Sequence, residues 1–104
     1  MAVIAMASTS PVLLDRYVID ALMRDLVGHD KSPSAFIVYL AIEAEAQKGR
    51  ALLSHTDLSE LTGLSKRACQ NAVALLDRRG LIEITRSRST DPAQFRPTRP
   101  WARV

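Results

Sequence analysis

A chain of 104 residues has room for one modest hydrophobic core. Its 47% hydrophobic and 24% charged content is ordinary for a soluble globular fold. No uninterrupted apolar run reaches the roughly 18 residues a membrane-spanning helix needs. Residues 1–6 are apolar but short, with no preceding Lys or Arg, and make a poor signal peptide. A single cysteine, Cys69, excludes an internal disulfide, and the expected compartment is a reducing cytoplasm.

The net charge of +3 is unevenly spread. Residues 1–64 carry 5 Lys/Arg and 8 Asp/Glu, whereas residues 65–104 carry 9 and 3. A basic half of this kind is the electrostatic footprint of a polyanionic partner, and taken alone it is equally a solvated surface.

Residues 1–9 show neither turn chemistry nor periodicity and are expected to form a flexible, frayed tail or an arm that packs on a partner. Residues 10–104 are expected to form one domain. Ser10 and Pro11 have the chemistry of a helix start, and Gly28 that of a stop. Between them, Leu14, Tyr17, Val18, Ala21, Leu22 and Leu26 form one apolar stripe. Val12, Ile19, Met23 and Val27 form a second. Two stripes exceed what one small core needs, so this helix is the expected site of homodimer contact.

Ser32 and Pro33 repeat the opening device, and Gly49 repeats the stop. The run 35–42 between them is continuously apolar and too long for a typical strand, which predicts a central core helix. Its last turns, 43–48, are polar enough to be expected in solvent. Residues 51–53 are a possible short strand.

Residues 54–86 organise the rest. Ser54 and Asp57 have capping-box spacing ahead of a short helix over 55–62 that buries Leu58 and Leu61. Thr62, Gly63, Leu64 and Ser65 form a tight turn. Gly63 supplies positive φ, and Ser65 caps the next helix. That helix should span 66–79 and bury Cys69, Ala72, Val73 and Leu76. Its other face presents Lys66, Arg67, Gln70 and Asn71. Gly80 fits a left-handed cap, with Leu81 touching Leu76. Residues 81–86 are β-prone, 87–92 are turn-rich, and 93–96 could return as a second strand. Pro97 and Pro100 break the tail, and Trp101 is expected to pack back on the domain.

A helix-turn-helix over 54–80 followed by a hairpin wing over 81–96 gives a mainly α fold: three to four helices plus a short C-terminal β-hairpin. In such a layout the second helix of the motif enters the major groove of DNA. Lys66 and Arg67 have the donors for guanine O6 and N7, and Gln70 and Asn71 the paired groups for adenine. Ser54, Thr56 and Ser65 stand at helix starts, where they serve as caps or phosphate ligands. Arg86, Arg88 and Arg96 lie on or beside the wing, placed for phosphate contact or for a solubilising loop. Arg78 and Arg79 complement the dipole of the helix they end.

Cys69 is expected to be a buried apolar filler. His29 and His55 lack a ligand cluster, so no metal or other cofactor is expected. No phosphate loop, HExxH or GxSxG occurs, and no catalytic residues or enzyme activity are expected.

Gly63, Leu64, Ser65 and Lys66, the helix that follows, and then Asp77, Arg78, Arg79, Gly80, Leu81 and Ile82 resemble the winged helix-turn-helix domains of bacterial transcription regulators. The MarR-like and GntR-like groups share this frame. The small chain with Leu58, Ser59, Glu60 and Leu61 is also similar to the winged domains of plasmid replication initiators. The strong resemblance covers about residues 52–86. Cys69, Ala72 and Ser59 depart from it, standing where larger aliphatics, or alanine in the case of Ser59, are usual. The resemblance implies sequence-specific binding of double-stranded DNA by a homodimeric transcriptional regulator. A plasmid replication or partition accessory factor and a winged-helix protein-interaction module are the alternatives. No membrane partner is expected.

Overall fold

The computed structural model describes residues 9–86 and 92–102. Helix α1 covers residues 16–29, followed by α2 (Pro33–Ala46), β1 (Ala51–Leu53), α3 (His55–Thr62) and α4 (Lys66–Arg78). Strands β2 (Ile82–Thr85) and β3 (Ala93–Pro97) come next, and a 3-10 turn, Pro100–Ala102, closes the described chain. The fold is a winged helix-turn-helix: the described residues form four helices on a three-stranded antiparallel sheet ordered β1-β3-β2.

Most boundaries follow local chemistry. The Ser32 hydroxyl accepts from Ala35 N at 3.2 Å, and Pro33 occupies the first turn of α2. Ser54 and Asp57 form a complete capping box at 3.0 and 2.9 Å. Gly63 ends α3 at φ 79°, which an L side chain rarely adopts. Leu81 N reaches back to Leu76 O at 3.0 Å and closes α4.

The start of α1 differs from the sequence expectation. Residues 10–15 lie outside the helix, which opens at residue 16 and not at Ser10. The Gln47 side chain donates to Leu13 O at 2.6 Å and accepts from Leu13 N at 3.0 Å. Both backbone groups of Leu13 are thereby engaged outside a helix. Gly28 lies within α1, and the chain turns instead at Lys31, with φ 54°.

Two stretches of α1, Val18–Leu22 and Asp25–His29, are wound as π-helix. Met23 N bonds Val18 O, and Asp30 N bonds Asp25 O at 2.8 Å. In an α-helix a spacing of four drifts about 40° per step, because a turn holds 3.6 residues. The wider i→i+5 winding reduces that drift. Val18, Leu22 and Leu26 are all buried, while Ile19, Met23 and Val27, each one position on, are all exposed.

The core gathers on α2, as expected: Ala35, Phe36, Val38, Tyr39 and Ile42 are buried. They meet Leu22 and Leu26 of α1, Leu58 of α3, Leu76 of α4, and Ala51, Ile82 and Phe95 of the sheet in one cluster. β3 is the middle strand, with Phe95 facing Ala51 on one side and Ile84 on the other.

Glu43 corrects the expectation that the last turns of α2 reach solvent: it is 2% exposed. A lone buried carboxylate would be costly, and this one is surrounded by donors. The Tyr39 hydroxyl donates to it at 2.9 Å, Gln47 at 3.3 Å and Arg99 Nε at 3.3 Å. Burial and the neighbouring Glu43 carboxylate push the Tyr39 phenol well above its ordinary pKa. Glu43 in turn holds the Arg99 guanidinium more firmly protonated. Trp101 does pack back, stacking on Tyr17 at 4.8 Å and donating to Asp15 at 2.8 Å.

Candidate nucleic-acid interface

The helix-turn-helix is α3, the turn and α4. The turn is pinned by three side-chain bonds. The Ser59 hydroxyl donates to Leu64 O at 2.6 Å, Thr62 Oγ1 donates to Leu58 O at 2.7 Å, and Leu64 N donates to Thr62 Oγ1 at 3.1 Å. Ser59 therefore satisfies a carbonyl that the turn leaves without a helical partner. The Ser65 hydroxyl accepts from Ala68 N at 3.1 Å and starts α4.

α4 has two distinct faces. Cys69, Ala72, Val73 and Leu76 are buried. Lys66, Arg67, Gln70 and Asn71 are exposed, as are Ala74, Asp77 and Arg78 further along. The first two turns of the helix thus present two cations and two amides away from the core.

The other predicted contacts divide by position. Ser54 and Ser65 each spend one acceptor lone pair in a cap, and a hydroxyl used this way retains its O–H as a donor. Thr56 is exposed in the first turn of α3. Arg86 is exposed immediately after β2. Arg96 pairs with Glu83 across the β2–β3 ladder, two rungs in from the outermost pair, Thr85 and Gln94. Its guanidinium already has a carboxylate partner near the base of the hairpin. Arg88 lies outside the described residues.

Arg79 does more than face the helix dipole. It forms an ion pair with Asp30 and lies 4.0 Å from Asp25. The hydrogen bond to the His29 ring, at 2.9 Å, and the charge of Arg79 hold the Asp30 carboxyl below its usual range, against the opposing effect of burial. Nothing local in the sequence marks this pairing.

Cys69 is buried, 3.8 Å from Thr62 Oγ1. Among the described residues no helix is long and apolar enough to cross a membrane.

A pinned helix-turn-helix followed by an antiparallel hairpin, with amides and cations on the outer side of its second helix, defines the DNA-binding winged-helix class. The family model for the helix-turn-helix domain matches residues 29–82, and the chain belongs to that family. The match runs from the end of α1 through α2, β1, α3 and α4 to the first residue of β2. No curated protein and no solved structure matches the chain.

Proposed function

We propose that residues 10–104 act as one domain that reads a specific double-stranded DNA sequence as a homodimer and regulates transcription. The observation that carries this reading is the outer face of α4, where Lys66, Arg67, Gln70 and Asn71 stand clear of the rest of the subunit. Arg and Lys there would donate to guanine, and Gln and Asn would pair with adenine in the major groove. The Ser54, Thr56 and Ser65 hydroxyls, at the starts of α3 and α4, would anchor phosphates. Arg86 and Arg88 would extend backbone contact along the wing, and Arg96 would contribute after parting from Glu83.

The dimer reading is supported by α1. Ile19, Met23 and Val27 are exposed along one side of it, and Val12, Leu13 and Tyr17 are exposed around its start. A second copy related by a two-fold axis would cover this face and present two α4 helices to one duplex. The buried free thiol of Cys69 suits a reducing cytoplasm.

The test is selection of bound duplexes from a random pool with purified protein. The expected outcome is a palindromic motif with half-sites about one helical turn apart. A pool that stays unenriched overturns the reading and favours a protein-interaction module.

A further inference from the structure

A dimer that joins through α1 and reads through α4 needs a fixed angle between these helices. That angle decides whether both copies of α4 meet successive turns of the groove, and hence how far apart the half-sites lie. α2 packs against both helices, and one side chain bridges them directly. Arg79, which closes α4, reaches back 49 positions to Asp30, immediately after α1.

Asp30 is a rigid receptor. Its N–H bonds Asp25 O at 2.8 Å, and Ser32 N bonds Leu26 O at 2.8 Å. Lys31 turns the chain between them at φ 54°. The other Asp30 oxygen is engaged by His29 Nδ1 at 2.9 Å. Its side chain is 12% exposed. Asp25, one turn back on α1, approaches the same guanidinium at 4.0 Å. A planar guanidinium between two carboxylates fixes direction as well as distance, which a point charge would not.

We infer that Arg79, Asp30 and Asp25 are positioning residues that set the α1–α4 angle and thereby the half-site spacing a dimer accepts. The inference rests on the dimeric DNA-reading proposal above.

The experiment measures binding of wild type, Arg79→Met, Arg79→Lys and Asp30→Asn to palindromes whose centre is lengthened or shortened by one base pair, and to a single half-site. Wild type is expected to lose about tenfold per base pair away from the optimum, the size of a mismatch penalty. Arg79→Met and Asp30→Asn should flatten this to about threefold or less, with single half-site affinity unchanged, since the two side chains are engaged with each other. Arg79→Lys should lie between, keeping charge without the fork. Variants that retain the wild-type spacing profile, or that lose half-site and palindrome binding in proportion, overturn the inference while leaving the DNA reading intact. A wild type that binds no duplex, or binds half-sites without regard to spacing, overturns the DNA or dimer proposal and this inference with it.

Discussion

Arg99 closes its guanidinium on the buried carboxylate of Glu43 across 56 residues of chain. The pair joins the segment after β3 to the last turn of α2. Gln47, which also touches Glu43, holds Leu13, and Trp101 holds Asp15 and Tyr17. The approach to α1 is therefore bound to the far end of the chain through a charged cluster.

Arg99→Met should destabilise the fold by about 2–3 kcal/mol, at or below the low end for a broken buried pair because Arg99 is 43% exposed. Glu43→Gln combined with Arg99→Met should recover much of that loss. Glutamine leaves no charge stranded and still accepts from Tyr39. Denaturant unfolding of both variants checks this. A double variant no more stable than Arg99→Met alone would show that stranded charge is not the cause.

The Asp30 site makes a pH prediction. Its carboxyl is depressed in the folded state, so its contribution is full above the unfolded value of about 3.9. The contribution is lost as pH falls through the lower folded value. Asp30→Asn should therefore reduce stability at neutral pH and flatten the fall of stability below about pH 4. Parallel acid limbs for wild type and variant would remove Asp30 from that account.

Two glycines should respond with opposite sign. Gly63 sits at φ 79°, where a Cβ is strained, and Gly63→Ala should cost about 1–2 kcal/mol. Gly28 lies within α1 with open space around the Cβ it lacks, and Gly28→Ala should stabilise by about 0.5–1 kcal/mol. Thermal unfolding of each variant reads the sign.

On DNA, Arg67→Ala and Gln70→Ala should each lower discrimination between selected and random duplex by about 1–3 kcal/mol. An equal loss on both duplexes would mean that these side chains contact only the backbone. Arg88→Ala should weaken all sequences alike and reduce the salt slope by about one phosphate contact. An unchanged slope would leave that arginine out of the interface.

What was legible in the sequence was chemistry between neighbours. Ser32 with Pro33, Ser54 with Asp57, Gly63 with Ser65, and Gly80 with Leu81 all mark helix ends within four residues of themselves, and the structure uses each of them. The outward face of α4 was legible because helical periodicity separates Arg67 and Gln70 from Cys69 and Val73. Distance along the chain hid the rest. The opening of α1 depends on Gln47, 34 positions from Leu13, and the burial of Glu43 depends on Arg99. Arg96 reads as a free wing cation until the strand register sets Glu83 opposite it. The spacing of four shared by Val18, Leu22 and Leu26 is also ordinary in an α-helix, so the wider winding of α1 was not legible.

The order of the sheet governs how the protein can be made. Among the described residues β1 and β2 each pair only with β3, and β3 follows both in sequence. During synthesis the helix-turn-helix leaves the ribosome with its sheet still lacking a centre. Glu43 waits longer, because its counter-ion Arg99 is translated after β3. A nascent chain stalled before Ala93 would hold the core cluster without Ala93 and Phe95, and the Glu43 carboxylate without Arg99. Synthesis of residues 93–99, not formation of α4, is then the step that completes the core.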